Sequence, residues 1–170
     1  MIRRFRRRPR LPTAFVLLIL ALVAWRAWRQ TSRPAPPELL PEGYYQVERV
    51  VDGDTLLLAN QARVRLQGVD TPETKKPEYP VEPWGPEASR FTVDFVADGK
   101  VKLEFDVERL DKYDRFLAYV YKDGRMLNEE LVRAGLATAE LGFRYSDSKK
   151  RLFKQAEDEA KAARRGIWSQ

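Results

Sequence analysis

The chain contains neither cysteine nor histidine. That double absence excludes disulfides, thiol nucleophiles, Cys/His zinc sites, serine-histidine-aspartate triads and every hydrolase whose base is an imidazole. Any chemistry must come from carboxylates, arginines, lysines or hydroxyls. Internal repeats are absent too. What is present, 44% hydrophobic and 11% aromatic residues in a chain of 170, suffices for one domain of ordinary size with a real core and argues against wholesale disorder.

The formal net charge of +6 suggests a polyanionic partner until its distribution is read. Of 31 basic and 25 acidic residues, nine arginines and two glutamates fall in residues 1–42, so the remainder holds 22 and 23 and is near neutral at −1. The basicity therefore belongs to the N-terminus, and total charge says nothing about the main domain.

Six arginines (Arg3, Arg4, Arg6, Arg7, Arg8, Arg10) precede an almost wholly apolar run from Leu11 to Trp25, and Arg26 and Arg29 close it. This is the layout of a signal peptide or signal anchor. Fifteen residues at about 1.5 Å each span roughly 22 Å, which serves a hydrocarbon core of about 30 Å if the flanking arginines snorkel and Trp25 and Trp28 sit at the interface. Cleavage needs small residues at alternate positions, yet Ala24 is paired with Leu22 and Ala27 with Trp25. The sequence thus predicts a basic cytoplasmic N-terminus at 1–10 and an uncleaved transmembrane anchor at 11–28. Six arginines before the run against three after it place the rest on the extracytoplasmic side, in the periplasm or at the cell exterior, with secretion after cleavage the lesser alternative. A buried hydrophobic helix fits poorly with arginines at both ends. Pro34, Pro36, Pro37 and Pro41 make 29–42 a semi-rigid linker, and the folded domain is expected at 43–170.

From Tyr44 to Val69 three strands are expected, around Tyr45 to Val51, Thr55 to Ala59 and Val64 to Val69, with a hairpin turn at Asn60-Gln61. Thr74 to Gly85, with Pro77, Pro80 and Pro83, reads as a surface loop. Pro86 opens a helix to about Asp98. Val101 to Val107 and Phe116 to Tyr121 supply two more strands; Met126 to Ala134 is a helix closed by Gly135, and Ser148 caps a last helix to about Arg165. This order, β-β-β-α-β-β-α-α, suggests a small barrel with helices at one end.

Asp52-Gly53-Asp54-Thr55 alone is a turn, since Asp-Gly is a common hairpin signal. Arg65, Asp70, Thr71, Pro72 and Glu73 alone are a solvated strand end. Their joint occurrence is more informative. Hairpin-linked strands bring Asp54 beside Asp70, and two carboxylates with a backbone carbonyl form an oxygen-only site for a hard cation. Asp111-Lys112-Tyr113-Asp114-Arg115 is a turn leading into a strand, for which surface salt bridging is the usual explanation.

Five ordered motifs carry a resemblance: Val51-Asp52-Gly53-Asp54-Thr55, the run from Arg65 to Thr74, Gly85-Pro86-Glu87-Ala88, Asp111 to Arg115, and Leu127 to Ala137. Together, from about Val50 to Trp168, the chain resembles staphylococcal nuclease, the thermonuclease family. The resemblance implies an α+β domain, a five-stranded OB-fold barrel with three helices, preceded here by the transmembrane helix. It implies calcium held by Asp54, Asp70 and the Thr71 carbonyl, with Asp52 one layer behind. Glu73 matches the carboxylate that orients or deprotonates the attacking water, and Arg65 and Arg115 match the guanidinium groups on the scissile phosphate. Such charges suit a phosphodiester whose equatorial oxygens gain charge in the transition state, and no histidine is required. Lys112 and Tyr113 match contacts to a terminal phosphate.

Three departures from the family pattern carry their own expectations. Glu78, Tyr79 and Pro80 stand in a loop that is basic in the family, which lowers affinity for polyanions. In Leu141-Gly142-Phe143-Arg144-Tyr145 only Phe143 or Tyr145 can replace the tyrosine that stacks on a base. Asp114 stands where glycine is usual and adds a negative charge beside Arg115.

The function so implied is a calcium-dependent nuclease that cuts DNA and RNA by in-line attack of water, leaving 3′-phosphate and 5′-hydroxyl ends. A monomer is expected, and no protein partner is identifiable. The alternative is a noncatalytic OB module that binds nucleic acid or a protein, toward which the near-neutral domain and acidic loop lean. Intact Asp54, Asp70, Glu73, Arg65 and Arg115 lean the other way, because a pure binding surface has no use for buried like charges beside phosphate ligands.

Overall fold

A computed structural model describes residues 13–31, 37–74, 82–97 and 99–169. The predicted basic segment 1–10, linker residues 32–36 and the loop residues Glu78, Tyr79 and Pro80 lie outside them. The chain divides into two compact units, Met1–Pro34 and Ala35–Gln170.

In the first unit, helix α1 runs Thr13–Thr31 and exposes Phe15, Leu17, Leu18, Ile19, Leu20, Leu22, Val23 and Trp25. Its uninterrupted apolar part, Ala14 to Trp25, is only about 18 Å long. Arg26 and Arg29 follow within the helix. Among the described residues no helix is long and apolar enough to cross a membrane, so the predicted transmembrane span is not carried by this helix.

The second unit is built on strands β1 (Gly43–Asp52), β2 (Thr55–Leu58), β3 (Arg63–Leu66), β4 (Val69–Asp70), β5 (Lys100–Leu110), β6 (Phe116–Lys122), β7 (Arg125–Met126) and β8 (Thr138–Ala139). Strands β1, β2 and β3 form the antiparallel meander expected from their short connections. Gln61, at φ 67°, takes the left-handed position of the predicted Asn60-Gln61 turn. On its other edge β1 pairs with β5, and β5 with β6, both antiparallel. The barrel closes where β3 meets β6 in parallel, Val64 opposite Phe116 and Leu66 opposite Ala118. Five strands (β1, β2, β3, β5, β6) thus form the closed barrel, as an OB fold requires.

Alternation sends Val64, Leu66, Val101 and Leu103 inward to meet Leu56, Leu58 and Val120 in one core. Three helices cover it: α2 (Gly85–Phe95), α3 (Leu127–Arg133) and α4 (Asp147–Ala162). Helix α4 contributes Phe153, Ala156 and Ala160 from a single face.

Four sequence boundaries shift. The expected strand from Val64 to Val69 breaks at Gly68, whose φ of 74° turns the chain so that β4 leaves the barrel and pairs with β8. Helix α2 ends at Phe95 rather than Asp98, and α4 spans 147–162, with Ser146 rather than Ser148 at the N-cap position. The domain also reaches back beyond Gly43. Leu40 is fully buried in the core, its carbonyl accepts from Arg109 Nη1 at 3.2 Å, and the Pro41 carbonyl accepts from the Tyr45 hydroxyl at 2.8 Å. The last residues of the predicted linker are therefore part of the barrel.

Candidate active site

The turn between β1 and β2 sends two carboxylates in different directions. Gly53, between them, is needed for space: a Cβ there would lie 2.8 Å from Thr71 Oγ1 and 2.9 Å from the Ala88 Cβ. The Asp-Gly pair is thus a close packing contact between this turn, Thr71 and α2. Asp52 faces α2 and accepts from the Gly53 amide (2.9 Å), Thr74 Oγ1 (2.6 Å) and Ser89 Oγ (3.2 Å). Burial pushes its carboxyl up, but hydrogen bonds from the Glu73 side chain, from Thr74 and from the Gly53 amide outweigh burial and hold it below the usual carboxylate range. The predicted base therefore lies against Asp52, while its backbone amide donates to Glu82 Oε2 at 3.0 Å.

Asp54 faces the opposite way and is buried. One of its oxygens accepts from Thr55 Oγ1, and the other from the amide and the hydroxyl of Thr71, all at 3.0 Å. Its remaining partner is Arg65, whose guanidinium also reaches Asp70 and so links the two carboxylates named as cation ligands. Asp70 is exposed, at the end of β4. A single guanidinium between two carboxylates leaves one negative charge over, and every donor is oxygen, which fits a hard divalent cation. Asp54, Asp70 and the Thr71 carbonyl are the residues that could hold it. Among the described residues no group of three or more carboxylates converges on a metal position, so the site rests on this smaller set.

Arg115 is held locally. Its Nε donates to Asp111 Oδ2 at 2.7 Å, and its amide and that of Tyr113 donate to Asp111 Oδ1 at 3.0 and 2.8 Å. The acid that restrains Arg115 is Asp111, four residues earlier in the same turn. Asp114 sits at φ 58°, which accounts for a position where glycine is usual. The rings and cations of the turn are stacked, with Lys112 Nζ 5.0 Å and the Arg115 guanidinium 5.3 Å from the Tyr113 ring centroid.

The end of β3, β4 and the turn from Asp111 to Arg115 meet around one cavity, whose lining does not include Asp54, Thr71 or Glu73. Its lining includes Arg65, Asp70, Lys112, Tyr113, Arg115 and Phe143. Phe143 is exposed and available for stacking. Tyr145 is not presented there: its ring is buried against Phe153 and occupies the space beside Gly68, where a Cβ would lie 2.6 Å from it. Its hydroxyl is pushed up to about 12, first by burial and then by the charge of Glu140. The aromatic that reaches the cavity from this segment is therefore Phe143 alone.

Sequence reading missed several residues that shape the site. Gln67, Glu108, Leu117 and Glu140 line the cavity. Strand alternation from Arg65 could have found Gln67, whereas nothing in the sequence marks Glu140. Asn128, fully buried on α3, accepts from the Val120 amide (3.0 Å) and donates to the carbonyls of Gln67 (3.0 Å) and Ala118 (3.2 Å). It thereby fixes the end of β3, and with it Arg65, against β6.

Comparison with known proteins places this geometry. The staphylococcal nuclease homologue family matches residues 63–170. The chain is 43% identical over 131 residues to the thermonuclease of Staphylococcus hyicus, covering 75% of this chain and 77% of that protein. It is 45% identical over 127 residues to the thermonuclease of Staphylococcus intermedius, covering 73% and 75%. Endonuclease YncB of Bacillus subtilis (strain 168) is 43% identical over 129 residues, 72% of this chain and 60% of that protein.

Proposed function

The chain belongs to the staphylococcal nuclease homologue family, and from that footing we propose that it is a calcium-dependent nuclease that hydrolyses phosphodiester bonds of DNA and RNA to 3′-phosphate and 5′-hydroxyl ends. The observation that carries this reading is the placement of Arg65 between Asp54 and Asp70, in a cavity also lined by Lys112, Tyr113 and Arg115. A calcium ion at Asp54, Asp70 and the Thr71 carbonyl would supply fixed positive charge beside the phosphate. Arg65 and Arg115 bind the equatorial oxygens of the scissile phosphate and stabilise the charge they gain in the transition state. Glu73 accepts a proton from the water that attacks phosphorus, and the 5′ oxygen leaves and takes up a proton. Lys112 and Tyr113 hold the neighbouring terminal phosphate.

The contact between Glu73 and Asp52 favours a second reading, a noncatalytic OB module, because it occupies the base. One substitution separates the two. Glu73→Gln keeps the size and one acceptor but loses the charge, so calcium and substrate should still bind while single-turnover cleavage slows by about 10²- to 10⁴-fold. Near-wild-type turnover, or full activity in EDTA, would overturn the nuclease mechanism.

The proposed location is extracytoplasmic, from the signal-peptide layout of arginines ahead of the apolar run Leu11 to Trp25. External protease should reach the domain only once the outer compartment is opened, and retention after a high-salt wash would separate membrane attachment from release.

A further inference from the structure

Besides its cations, the cavity beside Arg65 and Arg115 presents Gln67, Glu108 and Glu140, three acceptors that no phosphate contact explains.

Gln67 lies two residues after Arg65, on the same outward face, while Val64 and Leu66 point into the core. Its backbone is pinned on both sides, its amide donating to the Ala118 carbonyl (2.9 Å) and its carbonyl accepting from Asn128 (3.0 Å). The side chain is only 3% exposed, yet Oε1 has no hydrogen-bond partner. A buried acceptor left unpaired is costly and calls for a donor. Residue 140 is fixed beside it, because the Glu140 amide donates to the Gly68 carbonyl at 2.9 Å. Among the described residues the Glu140 carboxylate has no ion pair or hydrogen bond. Exposed Glu108 adds a further negative charge to the lining.

Phosphate is repelled from such a place, and N–H donors are drawn to it. Guanine is the base whose Watson–Crick edge offers adjacent donors, N1–H and the N2 amino group, which one carboxylate can accept together. Adenine and cytosine set one amino group beside a ring acceptor that would face the carboxylate lone pairs. Thymine and uracil flank their single N–H with two carbonyl oxygens. Leu117 and Phe143 supply apolar faces for a ring.

We infer that Glu140 and Gln67 form a base-reading site in this cavity that selects guanine next to the scissile phosphate. The inference rests on the nuclease reading of the cavity. Its test is calorimetric binding of guanosine and thymidine 3′,5′-bisphosphates to the full chain with saturating calcium, which needs no turnover. Guanosine bisphosphate should bind about tenfold or more tightly, the discrimination a good bidentate contact provides. Glu140→Gln should bring the two affinities together by weakening guanosine alone, with an unchanged melting temperature. Equal affinities in the wild type, or equal weakening of both ligands in Glu140→Gln, would overturn the guanine assignment and leave the nuclease reading standing. Failure of the wild type to bind either ligand would overturn both.

Discussion

Arg65 and Arg115 line one cavity but are held by partners of different origin. Arg65 is shared by Asp54, from the β1–β2 turn, and Asp70, from β4, the two carboxylates that are the candidate cation ligands. Arg115 is held by Asp111, four residues earlier in its own turn. The position of Arg65 is therefore tied to the occupancy of the cation site and to the packing of two separate elements. Arg115 depends on a local motif that would persist if the cation left. In the proposed mechanism one phosphate ligand would sense the metal and the other would not.

The strongest way to break this contrast is Asp54→Ala. It takes the acceptor from the Thr71 amide and hydroxyl and leaves Arg65 with Asp70 alone, and should cost about 1–3 kcal/mol of stability in urea denaturation, the penalty of buried donors left unsatisfied. A loss under about 1 kcal/mol would mean that these donors find other partners. Next in size, Arg115→Lys keeps the charge but not the planar fork. Single-turnover cleavage should fall by about 10²-fold while calcium affinity in a titration stays as it was. A parallel loss of calcium affinity would show that the two arginines are not independent.

A smaller effect separates them by pH. Burial pushes Asp111 up, but the Arg115 and Tyr113 amides and the Arg115 guanidinium pull it further down, so its folded value lies below the ordinary 3.8. The stability this turn contributes is complete above that ordinary value and is lost as pH falls through the lower folded one. The protection factor of the Arg115 amide should fall over that acid range in the wild type. In Asp111→Asn, which has no carboxyl to titrate, it should stay constant there. The smallest expected signal is a calcium-dependent shift of the Arg65 Nε–H resonance with none at Arg115. Equal shifts at both would remove the contrast altogether.

Much of this molecule is legible in its sequence where one local rule decides the outcome. The five barrel strands follow from short runs rich in β-branched, apolar and aromatic residues, and the Asp54–Asp70 approach follows from hairpin connections. Misreadings arose where a distant neighbour decides. Tyr145 reads as an available ring in a loop, but Gly68, far away in sequence, leaves the space that the ring fills. Leu40 sits in a proline-rich stretch with the composition of a linker, and only the closed barrel provides the pocket that buries it. Asp114 looks like a partner for Arg115 by adjacency, yet its left-handed backbone goes with a turn in which Asp111 does the holding. Glu140 lines the cavity only because β4 and β8 pair, a two-residue ladder too short to leave a pattern.

The parallel seam between β3 and β6 also sets a timetable. Leu66 must wait for Ala118, roughly fifty residues later, before its edge is covered. At about 5–20 residues per second of synthesis, the first three strands stand for some seconds as a meander whose β3 edge is open, as its β1 edge is until β5 arrives. During that interval the sheet has an unpaired edge that can recruit a neighbouring nascent chain. Arg63 and Arg65 lie on this edge and place charge along it. The same arginine assigned to phosphate in the finished enzyme thus helps keep the unfinished chain from pairing with the wrong strand.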